Sequence, residues 1–340
     1  MKAVCLTSKG NFKLQDVPEP ELEHDSDVKI RVAYAGMCGD DVHVLRGDMG
    51  SFTEMQIMGD EMSGIVVAVG KTARQYGFQE GDWVSGLSRS SCGKCAYCLS
   101  GNPQACKNSE PHGVMSEYVV LTYTHLCHIP PKLGLKTGEL MSLVALCAKC
   151  VSQANIGWGD SVAIMGAGGM GLVCLQLARR HGAGQITVIE PVDSKRELAL
   201  SLGATHVINP LTENVFSEAY RYTDDYGFSS VIEASGSTTA FNNAISIVGN
   251  LGTLVVPSVY HLDFKYPLDM MDFLWRQITI CGVRSPSPLQ QTKIVELMEQ
   301  LDLSVFTNHV FPIESAGKAY EAFTSGLYPK ILLKVDHNVE

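Results

Sequence analysis

A glycine-rich turn places the strongest constraint on what this chain can fold into. The motif Gly166-Ala167-Gly168-Gly169-Met170-Gly171 has the form G-x-G-x-x-G and lies between an apolar run, Ser161–Met165, and a helical pattern over 172–181. After a strand, the first glycine permits a tight turn, the second lets a pyrophosphate approach the backbone, and the third allows close helix packing. The helix N-terminus then faces the phosphates. The motif therefore predicts a dinucleotide-binding domain with contacts from Gly166, Gly168, Gly169, Met170 and Gly171.

The rest of the chain shows two further patterns. Apolar runs alternate with helical segments beyond about residue 148, which indicates a parallel, doubly wound sheet. Residues 1–145 combine short β-type runs with frequent Gly and Pro, which is typical of a small β-barrel or sandwich. A helix and a terminal strand at 330–335 follow residue 285 and are expected to return to that first domain. The prediction is an α/β chain with a barrel domain over 1–147 and 286–340 and a doubly wound domain over 148–285.

An acidic residue follows the next predicted strand of the dinucleotide domain. Glu190 lies nineteen residues beyond Gly171, where a carboxylate accepts hydrogen bonds from ribose hydroxyls and would repel the extra phosphate of NADP. NAD is therefore favoured, although Lys195 and the next residue, Arg196, leave NADP open. The alternative is a structural turn with a surface glutamate. Ser258 and Val259 follow a later strand, where backbone contacts to the ribose and nicotinamide are expected.

Four cysteines crowd into a single loop of the first domain. Cys92, Cys95, Cys98 and Cys106 have the spacing C-x2-C-x2-C-x7-C. Short C-x2-C steps place thiolates on one side of a cation, and the longer return closes a tetrahedron, which leaves no open position. The loop therefore predicts a structural zinc site. Free or redox-active cysteines are the alternative.

Charge and hydropathy exclude several function classes. The formal net charge is -10 with no run of Lys or Arg, which argues against nucleic acid or an anionic membrane as the main partner. No stretch approaches the roughly 18 apolar residues that span a bilayer. The first residues read as a strand rather than a signal peptide, so a cytoplasmic location is expected.

The cysteine loop, followed sixty residues later by the glycine-rich turn, resembles the zinc-containing medium-chain alcohol dehydrogenases. Within that family the chain is most similar to sorbitol and related polyol or sugar-phosphate dehydrogenases, from its opening strand to Ala319-Tyr320-Glu321-Ala322-Phe323. The resemblance implies a GroES-like β-barrel catalytic domain, a Rossmann domain and an active site in the cleft between them. It also implies NAD-dependent oxidation of a hydroxyl and a homodimer or homotetramer.

The first catalytic motif of that family departs from its usual form here. The family has Cys-Gly-(Ser/Thr)-Asp-x-His, and this chain has Cys38-Gly39-Asp40-Asp41-Val42-His43. The resemblance implies that Cys38 binds the catalytic metal. Asp40 stands where a Ser or Thr usually passes the substrate's proton outward. Asp40, or His43 behind it, is therefore expected to relay that proton.

The second motif, usually Gly-His-Glu, is Gly59-Asp60-Glu61, so Asp60 replaces an imidazole ligand. At the fourth ligand position the family has Glu or Cys, whereas this chain has Ser142, with Cys147 nearby as an alternative. A thiolate and two carboxylates still bind zinc, although harder oxygen ligands shift the preference toward manganese or magnesium. The expected catalytic metal ligands are Cys38, Asp60 and Glu61. If the metal has been lost, Asp40 or Asp60 would act directly as the general base.

The number of carboxylates in these motifs bears on the substrate. The chemistry expected is hydride transfer between NAD and a secondary hydroxyl of a small polyol, sugar or cyclitol. A positively charged substrate, such as an amino sugar or aminocyclitol, would balance the extra acidic groups. Two other possibilities are a metal-independent reductase of the same fold and a catalytically silent homologue that binds nucleotide.

Overall fold

The computed structural model describes residues 1–48, 53–87, 89, 91–284 and 288–339. The chain divides into two compact units, of which the first contains Met1–Ala145 and the chain after Arg284, and the second contains Leu146–Arg284. The first boundary therefore precedes the predicted one by two residues. The predicted second boundary, between residues 285 and 286, lies outside the described residues.

The first part of unit one is built mostly from short strands. In chain order it contains β1 (Lys2–Ser8), β2 (Asn11–Asp16), β3 (Asp27–Met37), α1 (Gly39–Arg46), β4 (Glu61–Val69), α2 (Lys71–Gln75), β5 (Trp83–Leu87), α3 (Ala96–Leu99), β6 (Tyr118–Thr122), β7 (Leu126–His128) and α4 (Leu135–Gly138). The helix α5 (Met141–Gln153) contains the boundary between the units.

Unit two is the predicted doubly wound sheet, and the structure confirms it. Its elements are β8 (Ser161–Met165), α6 (Gly169–His181), β9 (Gln185–Ile189), α7 (Asp193–Ser201), β10 (His206–Ile208), α8 (Val215–Tyr222), β11 (Phe228–Glu233), α9 (Thr238–Ile247), β12 (Val248–Val256), α10 (Met270–Arg276) and β13 (Thr279–Gly282). All paired strands are parallel, in the order β10-β9-β8-β11-β12-β13. The order reverses between β8 and β11, and ligands of such sheets bind at that point, beyond the carboxyl ends of the strands.

The chain then returns to unit one with more elements than the sequence predicts. It forms α11 (Pro288–Met298), β14 (Val310–Pro312), α12 (Ala316–Thr324) and β15 (Ile331–Lys334), rather than a single helix and a single strand. The three-residue β14 is too short to show an alternating pattern, and it is a strand because it pairs with β15. No helix among the described residues is long and apolar enough to cross a membrane.

The central strand β3 organises unit one. It pairs with β4, β6 and β15, and its apolar side chains, among them Val28, Ile30 and Val32, are fully buried in the core. Burial of such a side chain contributes about 1.5–3 kcal/mol. Near the end of β3, Gly36 lies between Glu61 of β4 and Leu332 of β15. This register brings three chain segments together where Cys38 follows β3.

Candidate functional site

The glycine-rich turn of unit two has the geometry of an anion-binding helix start. Gly166 has φ +93°, in the left-handed region that favours glycine. Gly168 caps α6, and no heavy atom lies within 4 Å of the place its Cβ would take. A Cβ at Gly171 would lie 2.0 Å from the carbonyl oxygen of Gly166, so a side chain there would push the helix off the turn. Gly169 and Met170 begin the helix, whose first N–H groups have no partner within it.

Glu190 lies directly after β9 and supports that turn. Its side chain is buried, with one carboxylate oxygen 2.7 Å from the backbone N of Ala167 and the other 3.0 Å from that of Val192. Arg196 donates to the carbonyl oxygen of Glu190 and pairs with Asp193. The carboxylate therefore already accepts backbone hydrogen bonds, which sequence reasoning did not anticipate. Lys195 lies on α7 and is 9% exposed.

The structure brings the four loop cysteines together. The sulfur atoms of Cys95 and Cys98 are 3.5 Å apart, those of Cys92 and Cys106 are also 3.5 Å apart, and all four lie within 4.8 Å of one another. Hydrogen bonds, first from the backbone of Lys94, lower the pKa of Cys92 to about 6. Four converging sulfur atoms, one of them inclined to be a thiolate, are a donor set that fits tetrahedral zinc.

A second group of side chains that could bind a metal lies at the end of β3. The ligand atoms of Cys38, Asp60 and Glu61 lie within 4.8 Å of one another, and the sulfur of Cys38 is 3.1 Å from an oxygen of Asp60. Asp41 holds the two motifs together, because its carboxylate accepts from the backbone N of Cys38 at 2.9 Å and of Gly59 at 3.2 Å. The structure therefore assembles the three predicted ligand residues into one site.

Burial and like charge make this site unfavourable for additional negative charge. The pKa of Asp60 is well above its usual range, because of burial and then because of repulsion from Glu61 and Asp40. Burial, followed by the charge of Asp60, also raises the pKa of the Cys38 thiol. Burial raises the pKa of Asp41 to about 7, although the hydrogen bond from Cys38 opposes it. A cation placed among these groups would favour their ionised forms.

A buried lysine that sequence analysis did not single out lies beside Glu61. Lys330 is 3% exposed, forms an ion pair with Glu61, and donates to the carbonyl oxygen of Met37 at 3.1 Å. Its ammonium nitrogen is also 3.7 Å from a carboxylate oxygen of Glu139. Burial alone would lower the pKa of Lys330, but the charges of Glu139 and Glu61 raise it instead. The site therefore contains a permanent cation of its own.

Glu139 is the least satisfied member of this group. It is fully buried, and within the part of the chain that the structure describes neither of its carboxylate oxygens accepts a hydrogen bond. Burial raises its pKa to about 8, against the opposing charge of Lys330. Space for both side chains comes from Gly36, where a Cβ would lie 1.8 Å from the carboxylate of Glu139. The available signal was a charged residue directly before the mostly apolar stretch 140–148.

The remaining predicted residues of the catalytic motifs lie on the helices α1 and α5. Asp40 lies in the first turn of α1, half-buried, and His43 in the same helix is 3.1 Å from a carboxylate oxygen of Asp48. Ser142 is half-buried on α5. In unit two the buried Cys147 donates its thiol hydrogen to the carbonyl oxygen of Met170, so this thiol already has a partner.

The predicted residues after β12 lie in a loop at the carboxyl edge of the sheet. The hydroxyl of Ser258 donates to the carbonyl oxygen of Glu233 at 2.8 Å. The carbonyl oxygen of Val259 would lie 3.1 Å from a Cβ at Gly236. The loops that follow β11 and β12 are therefore in contact.

Two family models match the chain. Residues 24–131 match the alcohol dehydrogenase GroES-like domain, and residues 169–301 match the zinc-binding dehydrogenase domain. The first segment contains both groups of candidate metal ligands, and the second contains most of the doubly wound unit.

Individual proteins are similar over nearly the full length. Sorbitol dehydrogenase of Halalkalibacterium halodurans is 29% identical, with 98% of this chain and 99% of that protein aligned. L-threonine 3-dehydrogenase of Caldanaerobacter subterraneus is also 29% identical, over 92% of each chain. A crystal structure of a protein assigned as a zinc-binding dehydrogenase, from Clostridium scindens, superposes with a TM-score of 0.92 at 30% identity, covering 99% of this chain and all of the other.

Proposed function

This chain belongs to the zinc-binding dehydrogenase family and is an oxidoreductase, and from that premise we propose that it oxidises a small polyol, sugar, cyclitol or aminocyclitol at a secondary hydroxyl. The observation that carries the proposal is the convergence of Cys38, Asp60 and Glu61 within 4.8 Å. The hydride acceptor that we propose is a nicotinamide dinucleotide bound at the turn Gly166–Gly171.

NAD is the proposed form of that dinucleotide. The buried carboxylate of Glu190 lies beside the turn at the end of β9, where the additional phosphate of NADP would meet its negative charge. The side chain of Arg196, a cation close to this carboxylate, is already held by the carbonyl oxygen of Glu190 and by Asp193. Lys195 is proposed to contact the adenosine end, and Ser258 and Val259 the nicotinamide end.

The four-cysteine loop is proposed to hold a structural zinc ion. The loop around α3 has little core of its own, because Tyr97 is 44% and Leu99 75% exposed. Metal–sulfur bonds from Cys92, Cys95, Cys98 and Cys106 would supply the order that apolar packing does not.

The residues of the second site fit a catalytic metal. One thiol and two carboxylates are accepted ligands of zinc, and a cation would offset the repulsion from Glu61 and Asp40 that helps to raise the pKa of Asp60. A bound divalent cation would supply the positive charge that makes a substrate hydroxyl easier to deprotonate. Asp40 and His43, both on α1, are proposed to carry the released proton outward. Asp48 would orient the His43 ring through the hydrogen bond between them.

Metal content tests this proposal directly. Purified wild-type protein is expected to contain two zinc ions per chain, and Asp60→Ala to contain one, because the substitution removes a ligand only from the Cys38 site. Cys98→Ser is expected to lose the other ion. Elemental mass spectrometry measures the zinc content per chain. Asp16→Ala, which replaces an exposed carboxylate, is the control. One ion in both wild type and Asp60→Ala would show that only the cysteine loop binds metal.

The last outcome would favour a second candidate function, a metal-independent reductase. The specific observation behind it is the buried ion pair between Lys330 and Glu61, which already supplies a cation to the site. Asp40 or Asp60 would then act as the general base. Turnover of a panel of polyols by a protein with only one zinc ion would establish it, whereas nucleotide binding without turnover would indicate a silent homologue.

The excess of carboxylates leads to a prediction about the substrate. Because Asp40, Asp60 and Glu61 repel one another, an aminocyclitol or amino sugar is expected to show a kcat/KM about 10-fold above that of its neutral hydroxyl analogue. L-threonine, for which one relative is named, likewise carries an ammonium group beside a secondary hydroxyl. Steady-state kinetics with matched pairs measures the ratio. Raising the salt concentration should narrow the preference, and equal turnover of both members of a pair would contradict it.

Association with further copies of the chain is proposed from an apolar surface of unit two. Exposed side chains cluster on α10 and on β13, an edge strand of the sheet, and they include Met271, Leu274, Trp275 and Ile280. Trp275 is 75% exposed. An open sheet edge beside an apolar patch is typical of a protein interface. None of the eleven cysteines forms a disulfide in the described residues, and a reducing, cytoplasmic location is proposed.

A further inference from the structure

A fully buried carboxylate ties together two loops at the carboxyl edge of the parallel sheet. Glu233 is the last residue of β11 and is 0% exposed. One of its oxygens accepts from the hydroxyl of Ser235 and from the backbone N of that residue at 2.9 Å. The other accepts from the backbone N of Gly236 at 3.2 Å and from the phenol of Tyr260. A buried charge with this many donors is held in one position.

Tyr260 reaches this carboxylate from the loop that follows β12. Its ring stacks on Phe264 with the ring centroids 5.2 Å apart and meets Phe241 edge-on at 5.7 Å. Burial and the charge of Glu233 raise the pKa of Tyr260. The phenol therefore stays protonated and donates a hydrogen bond to the carboxylate. Ser258 adds a second link, from the same loop to the carbonyl oxygen of Glu233. The loop 257–260 is therefore anchored at two points to the end of β11.

These loops lie at the point where the strand order of the sheet reverses. β8 and β11 are neighbours there, and a Cβ at Gly166 would lie 3.0 Å from the Cβ of Ser235. Glu190 lies on the opposite side of β8, after β9. A dinucleotide crosses such a sheet at the reversal, with its adenosine half on the β9 side and its nicotinamide half on the side of β11 and β12. The anchored loop belongs to the nicotinamide side.

We propose that Tyr260 is a positioning residue for the nicotinamide half of the dinucleotide, because its hydrogen bond to Glu233 holds the loop 257–260 in its binding conformation. The proposal rests on the nicotinamide dinucleotide being the cofactor. A loop that is already in place before binding loses less conformational entropy when the ligand arrives. Removal of the phenol hydroxyl would release the loop at one point and leave one oxygen of a buried carboxylate with a single N–H donor.

The test compares two ligands on the same variants. ADP keeps the adenosine and the pyrophosphate of NADH but lacks the nicotinamide riboside. Tyr260→Phe is expected to raise the Kd of NADH about 10-fold while the Kd of ADP stays within about two-fold. Tyr266→Phe, which removes a hydroxyl from the same aromatic cluster, is the matched control and is expected to change neither value. NADH fluorescence and isothermal titration calorimetry measure the two affinities.

A second variant separates positioning from general loss of structure. Glu233→Gln is expected to weaken NADH binding at least as much as Tyr260→Phe does. The double variant is expected to bind NADH no more weakly than Glu233→Gln alone, because both substitutions disrupt the same hydrogen bond between Tyr260 and Glu233. Equal weakening of NADH and ADP, or an unchanged NADH affinity in Tyr260→Phe, would overturn the positioning role while leaving the proposed cofactor intact. A wild-type protein that binds ADP but not NADH would overturn both.

Discussion

Lys330→Met is expected to lower the free energy of unfolding by about 3–5 kcal/mol, since it removes a cation that lies beside two buried carboxylates. Glu61 forms its ion pair with this lysine, and fully buried Glu139 lies 3.7 Å from the same ammonium nitrogen. Many domains are stable by only 5–15 kcal/mol, so the loss would be large. Chemical denaturation measures it, and Lys334→Met, at the end of β15, is the control.

The size of this loss should depend on pH. The pKa of Glu139 rises from 4.5 in the unfolded chain to about 8 in the folded protein. Between these two values Glu139 is protonated in the folded protein but ionised in the unfolded chain. The stabilisation that comes from this proton is complete below pH 4.5 and is lost as the pH rises through about 8. Without Lys330 the pKa of Glu139 in the folded protein would rise further, because the positive charge of Lys330 lowers that pKa. The deficit of Lys330→Met should therefore be larger at pH 9 than at pH 6.

A double variant checks the cause. Glu139→Gln added to Lys330→Met should recover part of the lost stability, because one fewer buried carboxylate is then left without a partner. Equal losses of unfolding free energy in Lys330→Met and Lys334→Met would show that the ion pair between Lys330 and Glu61 does not stabilise the fold. A stability deficit that does not change with pH would show the same.

Gly168→Ala is expected to weaken NADH binding about 100-fold, or about 2.7 kcal/mol, without loss of the fold. Its φ and ψ of -78° and -172° suit alanine, and no protein atom lies within 4 Å of the added Cβ. The methyl group would instead enter the space that the pyrophosphate needs beside the backbone. Fluorescence titration with NADH and thermal unfolding measure the two effects separately.

Gly171→Ala provides the contrast, because its Cβ would lie 2.0 Å from a backbone oxygen of Gly166. This variant is expected to lose about 1–3 kcal/mol of stability as well as affinity. Gly317→Ala in α12, where a Cβ meets no atom within 4 Å, is the neutral control. A Gly168→Ala protein that binds NADH as wild type does would place the pyrophosphate elsewhere.

Sequence periodicity predicts the doubly wound sheet well and the barrel unit less completely. Parallel strands such as Ser161–Met165 are buried on both faces, so they read as continuous apolar runs between helices. The strand Val310–Pro312 has only three residues, and it exists because β15 lies beside it. Strand pairing of this kind depends on tertiary contacts, which the local sequence pattern does not predict.

The candidate sites divide in the same way. The cysteine spacing and the motifs at Cys38 and Asp60 are local, so the sequence predicts the groups that the structure assembles. Lys330 reaches Glu61 across 269 positions of the chain, and only the pairing of β3 with β4 and β15 brings them together. The contact of Tyr260 with Glu233 likewise depends on two adjacent parallel strands.

The missing side chain of Gly36 restricts the substitutions that can accumulate in this lineage. A Cβ at that position would lie 1.8 Å from the carboxylate of Glu139 and 2.7 Å from the ammonium of Lys330. In this conformation the Glu139 side chain therefore needs glycine at position 36. We expect a side chain at position 36 to be tolerated only if residue 139 is shorter or if the ends of the Glu139 and Lys330 side chains move. Related chains with a larger residue at position 36 are accordingly expected to have a smaller one at position 139.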